Sequence, residues 1–317
     1  MKKYDVVAIG ELNVDLILNG IQGNIEIGKE IFANNMLLTL GSSTAIFAAN
    51  TSSLGAKVGF VGMIGKDSFG QLVKDSLVSK GVSTDFIIET DNYATGVTVG
   101  MSYGEERAMV TYQGPMDVMT FDDIDISVFE QTKHIHISSV FFQAGLKHDL
   151  VKILKYATEK GITTSLDVQW DPSEKWDFDY NAILPYVTVF MPNETEITLL
   201  THSESLEEAI EKVKPLINIC AIKQGNKGSI LLQKGSEPVF LSSFLNTEVV
   251  DAIGAGDSFN SGFIYQFVNG KSPEECQYMG NLTGAINTTS AGGTGAFASK
   301  KEIEKVAFEK FGQNISL

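Results

Sequence analysis

The chain has 317 residues, of which 43% are hydrophobic and 20% charged, so length and composition predict one large globular domain or two ordinary ones. Its formal net charge of −15 at pH 7 excludes nucleic acid and anionic lipid as expected partners, because an acidic surface repels both. The negative charge of a bound phosphate must therefore be compensated locally by backbone N–H groups, a lysine or a metal ion.

Neither the N-terminal segment nor the cysteines indicate export. Glu11 and Asp15 interrupt the apolar run of MKKYDVVAIGELNVDLIL, and no small-residue cleavage site follows it. No run approaches the ~20 apolar residues of a membrane-spanning helix. Cys220 and Cys276 lack metal-type spacing and are typical of free thiols in a reducing compartment. The sequence therefore predicts a cytoplasmic protein without a membrane partner.

Short β-rich runs alternate with helical patterns along most of the chain. This alternation predicts an α/β fold, with a mainly parallel sheet covered by helices on both faces. In such sheets ligands bind beyond the carboxyl ends of the strands. The predicted strands are 4–10, 57–65, 134–142, 163–169, 187–193 and 220–225, and the predicted helices are 44–54, 68–80, 147–160, 205–217, 257–269 and 274–290.

Two stretches break this alternation. Residues 95–115 alternate with period two around the turn YGEER, which indicates a β-hairpin, and residues 16–40 have the composition of strands with turns. We expect them to form a small β-sheet that projects over the strand ends as a lid, inserted in one domain that spans 1–317. Since an open hairpin leaves strand edges and apolar surface exposed, a homodimer through the lid is also predicted.

The segment VVDAIGAGDSFNSGF at 249–263 places a glycine turn before an aspartate and a helix. It lacks the third glycine of the dinucleotide-binding fingerprint, since Phe259 stands there, and the GKS at 270–272 lacks the leading glycine of a Walker motif. Glycines let the backbone approach a ligand closely, and the free N–H groups of a first helical turn attract anions. A phosphoryl group is therefore expected to rest on the amides of residues 254–257.

Asp257 follows the glycines, where its carboxylate can accept the proton of a hydroxyl that attacks the phosphorus. A carboxylate at a helix N-terminus is expected to have a low pKa and to be a weak base. Phosphoryl transfer tolerates a weak base, because its transition state is loose and the hydroxyl can lose its proton late. The alternative interpretation is that Asp257 is only the N-cap of the helix, a position that aspartate favours.

Within this segment, DAIGAGDSF resembles the D-T-x-G-A-G-D-x-F motif of the ribokinase/PfkB family of carbohydrate kinases. The resemblance covers nearly the whole chain, and the ordered set of motifs is far more specific than any one of them. The other matching stretches are GELNVD, GSSTAIFAANTSSLGAKVGFVGMIGKDSFG, PNETE and KQGNKG, at 10–15, 41–70, 192–196 and 223–228.

The resemblance implies a ribokinase-like three-layer αβα sandwich with a small β-sheet lid. It also implies phosphorylation of an alcohol, with ATP, Mg²⁺ and a stimulating monovalent cation such as K⁺. Asp257 would be the base, and the amides of Gly254, Ala255 and Gly256 the anion hole. The acceptor would contact Asn13, Asp15, Ser42, Ile46 and Asp167. The nucleotide would lie along Asn193, Lys223, Gly225, Gly228 and Asn281. Asn193 and Glu196 would bind Mg²⁺ through waters, and Asp251 would shape the monovalent-cation site.

Two pairs of polar residues also have structural interpretations. Asn193 and Glu196 fit a capping box, in which the asparagine caps a helix and the glutamate bonds back to it, and this is compatible with metal binding. His134 and His136 lie on one face of a predicted strand without further metal ligands nearby. We expect them to be core or edge histidines.

The acceptor half departs from the family pattern. Ser42 and Ile46 stand where the family has glycine and a sugar-binding asparagine, and Asp171 stands where it often has arginine. Carboxylates accept hydrogen bonds from hydroxyls but repel a second anion, which arginine would bind. We therefore predict a neutral, hydroxyl-rich acceptor gripped by Asp15, with Ile46 as an apolar wall. The acidic residues expected at this edge of the sheet are Glu11, Asp15, Asp167, Asp171 and Asp257.

Three functions remain open on the sequence. The first is a kinase of a small neutral sugar. The second is a nucleoside kinase, for which Tyr103 and Tyr112 in the lid are candidate stacking residues. The third is a sugar-binding regulator that has lost catalysis, against which the retention of Asp257 and the glycines argues.

Overall fold

The computed structural model of the protein describes residues 2–103 and 106–317, without the side chains of residues 103, 106 and 107. Thirteen strands lie in this described part of the chain: β1 (Tyr4–Ile9), β2 (Asn13–Asn19), β3 (Asn35–Leu40), β4 (Val58–Gly65), β5 (Ser83–Thr90), β6 (Gly96–Tyr103), β7 (Glu106–Tyr112), β8 (Thr132–Ser138), β9 (Thr163–Asp167), β10 (Val189–Phe190), β11 (Ile219–Lys223), β12 (Ser229–Gln233) and β13 (Val239–Leu241). The α-helices of the same ranges are α1 (Ser43–Leu54), α2 (Ser68–Ser79), α3 (Ser127–Gln131), α4 (Ala144–Glu159), α5 (Tyr180–Ile183), α6 (Glu194–Leu200), α7 (Leu206–Val213), α8 (Ala255–Val268), α9 (Pro273–Asn287) and α10 (Lys300–Phe311).

Nine of the described strands form the central sheet, in the order β13-β12-β11-β10-β9-β8-β1-β4-β5. From β11 to β5 all neighbours are parallel, and β12 and β13 are added antiparallel at one edge. Strand β1 alternates between two hydrophobic clusters, with Val7 and Ile9 in one and Val6 and Ala8 in the other. Both faces of the sheet are therefore covered by core, which confirms the predicted αβα sandwich.

Local capping sets where several helices begin. Asp67 caps α2, and Ser272 caps α9 in a capping box with Glu275. The side chain of Ser42 caps α1. These three helices begin within one residue of their predicted starts. No helix of the described ranges is long and apolar enough to cross a membrane.

A second, small sheet has the strand order β3-β2-β6-β7. Its pairs β2–β3 and β6–β7 are antiparallel, and β2 joins β6 in parallel. This confirms that the two stretches outside the alternation form one small sheet. Residues 20–34, within the first stretch, form no strand. Residues 104–105 of the predicted hairpin turn lie outside the described residues. The register places Asp15 opposite Thr39 and Thr98, so these three residues share one face.

The carboxyl ends of β9 and β11 meet the N-terminal part of α8. Asp167, at the end of β9, accepts hydrogen bonds from Lys223, at the end of β11, and from Asn260 of α8. The loop after β1 joins the same edge, because Glu11 accepts a hydrogen bond from the backbone of Thr44 at the start of α1. This is the edge of the sheet where a ligand is expected.

Candidate active site

A cavity of about 1000 Å³ opens at this edge of the central sheet. The first turn of α8 lines it and contacts two groups of lining residues: Gln169 bonds to Asp257, and Gly284 of α9 lies against the carbonyl of Ala255. The first group, called the Asp15 side below, is Asp15, Ser42, Ser43, Ile46 and Gln169. The second group, called the Asn281 side, is Gly225, Gly228, Phe244, Leu245, Val249, Asn281, Gly284, Ala285 and Thr288.

Residues 254–257, called the anion turn below, lead into α8 and present free backbone donors to the cavity. Gly254 is the N-cap and has a φ of 74°, a left-handed conformation that glycine favours because it lacks a Cβ. The N–H of Ala255 donates to the carbonyl of Ala252 at 3.2 Å and so serves the turn itself. The N–H groups of Gly256 and Asp257 form no hydrogen bond with the described residues, as at the start of most helices.

Asp257 is the third residue of α8 and not its N-cap, so the interpretation as a capping residue alone is wrong. Its carboxylate lines the cavity, and Oδ1 accepts a hydrogen bond from Gln169 Nε2 at 3.0 Å. Burial, followed by repulsion from Asp167, raises the pKa of Asp257 well above its ordinary value. Both effects outweigh the helix N-terminus, so the expected low pKa is wrong and Asp257 is a stronger base than predicted.

Asp167 lies behind the cavity wall, where its Oδ2 gathers three donors. Lys223 Nζ lies 2.5 Å away, Asn260 Nδ2 2.6 Å and Gln169 Nε2 3.1 Å. Burial lowers the pKa of Lys223, but the charges of Asp167 and Glu196 outweigh it and leave the pKa raised, so the lysine stays charged. Asp167, which the family resemblance assigns to the acceptor, therefore acts on the cavity through Gln169 and Lys223.

On the Asp15 side, Asn13 orients the Asp15 carboxylate. Asn13 is buried, and its Nδ2 donates to Thr98 Oγ1 at 2.9 Å and to Asp15 Oδ1 at 3.4 Å. Burial raises the pKa of Asp15 to about 6, and the bond from Asn13 partly offsets it. Asp15 thus faces the cavity as a hydrogen-bond acceptor, while Asn13, also predicted to contact the acceptor, lies behind it.

Two non-glycine residues on the Asp15 side have left-handed backbone, Ser42 with a φ of 71° and Gln169 with a φ of 61°. Such a conformation costs about 1–3 kcal/mol and persists only where the surroundings hold it. Ser42 Oγ donates to the carbonyl of Glu11 at 2.6 Å and accepts from Ala45 N at 3.0 Å. Gln169 is held by its bonds to two carboxylates. Strain held beside a cavity is typical of a functional site.

Ile46 packs directly on the anion turn. Its side chain is 4% exposed, and a Cβ added at Gly254 would lie 3.2 Å from Ile46 Cγ2. The position where the family has a sugar-binding asparagine is therefore an apolar surface of the cavity here.

A family model described as pfkB family carbohydrate kinase matches residues 3–300. The chain belongs to this family. This confirms the resemblance seen in the motifs, and it makes the protein an ATP-dependent kinase. The cavity at the carboxyl edge is accordingly the candidate active site of this kinase.

Similar proteins include sugar kinases with different names. An uncharacterized sugar kinase of Archaeoglobus fulgidus is 32% identical over 74% of this chain and 92% of its own length. A 5-dehydro-2-deoxygluconokinase of Lacticaseibacillus casei is 26% identical over 90% of each chain. The structure of Arabidopsis thaliana ribokinase complexed with ribose and ATP matches with a TM-score of 0.82 at 25% identity, over 96% of this chain and 98% of that one. The family is thus shown, and its members are named for different sugars.

Asn193 and Glu196 form the predicted capping box at the start of α6, with Asn193 N and Nδ2 donating to the two carboxylate oxygens at 2.8 and 2.7 Å. Burial and repulsion from Asp167 raise the pKa of Glu196 to about 7. The described residues hold no group of three or more His, Cys, Asp or Glu side chains suited to a metal ion. Glu196 is instead a buried carboxylate on the cavity wall, an arrangement that fits Mg²⁺ held through its waters.

On the Asn281 side, the loop that is predicted to bind the nucleotide lines the cavity. Gly225 and Gly228 have φ values of 57° and 119°, and both line the cavity. Asn281 donates through Nδ2 to the carbonyls of Leu241 and Ser242 at 3.1 and 3.3 Å. Asn281 therefore lines the cavity but also braces the segment after β13.

Three of the five predicted carboxylates do not line the cavity, namely Asp167, which lies behind its wall, and Glu11 and Asp171. Glu11 is buried and bonds to the hydroxyl of Thr44 and to Gln143 Nε2. Asp171 turns back into its own loop, where it accepts from Ser173 N at 2.9 Å and Trp176 N at 2.7 Å. The five acids were expected at the edge of the sheet where the ligand binds. Nearby donors hold the side chains of Glu11, Asp167 and Asp171 away from the cavity, so only Asp15 and Asp257 face it.

Sequence reasoning did not assign roles to Gln169 and Asn260, which join Asp167 to the base and to α8. The sequence could have predicted that Asn260 lies near Asp257, because it follows Asp257 by three residues and so lies on the same face of the helix. His134 and His136 are core residues as expected, both fully buried, and Ser165 Oγ bonds to a ring nitrogen of each.

Proposed function

We propose that this kinase transfers the γ-phosphoryl group of ATP to a hydroxyl of a small neutral sugar, with Asp257 as the base. The observation that carries the proposal is the position of Asp257. Its carboxylate faces the cavity beside the free N–H groups of Gly256 and Asp257, and the hydrogen bond from Gln169 holds it toward the Asp15 side. A hydroxyl gripped by Asp15 and a phosphate on the anion turn would therefore meet at Asp257.

The chain's own groups divide the work of the reaction. Asp257 takes the proton of the attacking hydroxyl as the oxygen–phosphorus bond forms and ADP leaves. The N–H groups of Gly256 and Asp257 donate to oxygens of the transferred phosphoryl group. Bound Mg²⁺, held through waters by Asn193 and Glu196, would neutralise phosphate charge. Lys223 keeps a positive charge among the buried carboxylates, which supports the ionised form of Asp257.

The test is a screen of ADP release with Mg²⁺ and ATP over neutral sugars, nucleosides and sugar acids, with product isolation for each hit. We expect a phosphorylated neutral sugar. A protein that binds sugars but forms no ester with any of them would be the regulator, and the proposal would fail.

The register of the small sheet argues against a nucleoside acceptor. Thr98 pairs with Thr111 and Asp15 with Thr98, so all three share the face that carries Asp15. Tyr112, the neighbour of Thr111, therefore points to the opposite face, since side chains alternate along a strand. The side chain of Tyr103 lies outside the described residues. Tyr112 is thus not placed to stack on a base held by Asp15.

A neutral acceptor is the first testable prediction. None of the residues that form the Asp15 side carries a positive charge, and Lys223 is paired with Asp167. Neutral sugars should therefore exceed matched sugar phosphates and sugar acids in kcat/KM by about tenfold or more, since Asp15 repels a second anion. The anionic acceptor that tests this prediction most directly is a deoxygluconate, because the L. casei relative is named a 5-dehydro-2-deoxygluconokinase. An anionic acceptor that beats every neutral one by about tenfold would contradict this reading.

The raised pKa of Asp257 predicts the pH dependence of kcat/KM, which reports groups of the free enzyme. Asp257 must be ionised to accept a proton. Burial and the charge of Asp167 raise its pKa most, the charge of Glu11 raises it further, and the charge of Lys223 lowers it. Since the pKa is raised on balance, Asp257 takes up a proton at a higher pH than an ordinary aspartate does. Activity should therefore fall on the acid side at a pH clearly above ~4, the ordinary aspartate value. A profile that stays level down to that value would contradict the assignment.

We also propose that the chain is one domain in which the small sheet closes over the cavity as a lid and pairs with a second copy. On the face opposite Asp15 the register aligns Met36, Val110 and Tyr112, whose exposures are 61%, 63% and 49%. An apolar face of this kind favours association. Sedimentation should show a dimer at micromolar concentration, and Val110→Asp should produce monomers, while Phe308→Asp on α10 should not. A fully active wild-type monomer would contradict the dimer.

A further inference from the structure

Three fully buried polar side chains connect α1, α8 and α9 behind the anion turn. Asn287 Nδ2 donates to the carbonyl of Ile253 at 2.6 Å, and Asn50 Nδ2 donates to the carbonyl of Gly293 at 2.8 Å. Ser258 Oγ joins the two amides, at 2.9 Å from Asn50 Nδ2 and 2.9 Å from Asn287 Oδ1. Because a carbonyl only accepts hydrogen bonds, both amide nitrogens must face the backbone. We call these three side chains the amide latch.

The latch lies where the family resemblance implies a monovalent cation beside Asp251. The Asp251 carboxylate accepts from Ile253 N at 3.0 Å and from Gly292 N at 3.1 Å, so segments 251–253 and 291–293 are neighbours. A monovalent cation replaces its hydration shell with carbonyl and carboxylate oxygens. Here the oxygens of Ile253, Gly293 and Asp251 already receive N–H donors. The carbonyl oxygens of Ile253 and Gly293 therefore do not fit a cation site, since the Nδ2 groups that lie on them are positively polarised and would repel a cation there. Asn50 Oδ1 has no partner among the described residues.

The latch touches the groups that carry the proposed chemistry. Ile253 directly precedes Gly254, and Ser258 directly follows Asp257. A Cβ added at Gly254 would lie 2.7 Å from Gly293 Cα, so the anion turn and the 291–293 segment are in contact. A shift of the 291–293 segment would therefore displace the anion turn and Ile46, which packs on both.

We propose that the amide latch does the work of a bound cation: it holds the anion turn against segment 291–293, so that turnover requires no monovalent cation. The proposal rests on phosphoryl transfer at the anion turn. Asn50, Ser258 and Asn287 are positioning residues, because they act through the backbone of the turn.

The first experiment compares initial rates of the wild-type kinase in potassium, sodium and tetramethylammonium chloride at equal ionic strength, with ATP as its tetramethylammonium salt. We expect rates within about twofold of one another, and the same thermal midpoint for the protein alone in each salt. Stimulation by K⁺ of more than about fivefold, or a K⁺-specific rise of the midpoint, would overturn the proposal. The midpoints remain informative if no acceptor is turned over, an outcome that would instead count against the proposed function.

The second experiment converts a latch donor into an acceptor. Asn287→Asp keeps the size of the side chain but sets a carboxylate against the Ile253 carbonyl, so kcat in tetramethylammonium should fall about tenfold or more at nearly unchanged KM for ATP. The added charge creates oxygen ligands, so K⁺ should restore part of kcat, which a merely structural defect would not show. Asn50→Asp is the second variant if Asn287→Asp fails to fold.

A control for the loss of an amide donor is Asn218→Asp at an exposed position, because Asn218 Nδ2 donates to the carbonyl of Val187 at 3.0 Å in another part of the fold. This control should keep wild-type turnover in every salt. Latch variants that turn over at the wild-type rate in tetramethylammonium would overturn the proposal. Slow latch variants that K⁺ does not stimulate would also overturn it.

Discussion

Asp257→Asn is expected to lower kcat by about 10²-fold or more while ATP affinity stays nearly unchanged. An asparagine has the same shape, and its oxygen can still accept the bond from Gln169 Nε2, so the cavity wall should keep its form. The amide cannot take a proton from the acceptor hydroxyl, and the step that Asp257 serves is lost. The measurements are steady-state kcat with the best acceptor and the ATP dissociation constant by calorimetry.

The matched control for this variant is Asp149→Asn. Asp149 also accepts a backbone hydrogen bond, from Phe121 N at 3.0 Å, but it belongs to α4 and does not line the cavity. Its replacement should leave kcat near the wild-type value. Near wild-type turnover of folded Asp257→Asn would remove Asp257 from the mechanism.

Gly256→Val is expected to reduce turnover by about 10²–10³-fold, the effect of losing an oxyanion-type donor worth about 3–4 kcal/mol in other enzymes. The added side chain would cover the N–H groups of Gly256 and Asp257, on which the phosphoryl group is proposed to rest. The fold should tolerate it, because among the described residues a Cβ at position 256 would meet only the Lys223 side chain, at ordinary contact distances of 3.7 Å to Nζ and 4.0 Å to Cδ. Kinetics and thermal unfolding of the same sample separate the two effects.

Gly256 is a more informative position than Gly254. A residue other than glycine at position 254 would strain a φ of 74° and would place its Cβ 2.7 Å from Gly293 Cα, so lost activity there would not distinguish misfolding from lost binding. Gly256→Ala provides the graded companion, with a smaller loss than valine expected. Unchanged kinetics in folded Gly256→Val would show that phosphate binds elsewhere.

The central sheet could be predicted because its strands are buried on both faces and therefore read as apolar runs. Every residue of β4 is buried, and β1 and β4 match their predicted ranges closely. The edge strand β5 was not predicted, and most of its residues are only half-buried, which weakens the apolar pattern. Short β12 and β13 follow a different topology, since they extend the sheet antiparallel at its other edge.

For the site, sequence could predict which residues reach the carboxyl edge but not how their side chains turn. The glycine turn and Asp257 were found because local motifs define them. The sign of the pKa shift of Asp257 was missed, because it depends on burial and on Asp167, which is distant along the chain. Glu11 and Asp171 lie near strand ends as expected, but Thr44 of α1 holds Glu11, and backbone donors of its own loop hold Asp171, outside the cavity.

The most direct test of the proposed phosphoryl transfer is ³¹P NMR of the products formed from Mg²⁺-ATP and each neutral sugar, run in parallel with wild-type protein and Asp257→Asn. The account predicts a new phosphomonoester resonance, coupled to a proton of the sugar, that grows with ADP in the wild-type sample. In the Asp257→Asn sample it should be about 10²-fold slower or absent. Inorganic phosphate without an ester, or an ester formed equally fast by Asp257→Asn, would contradict the account.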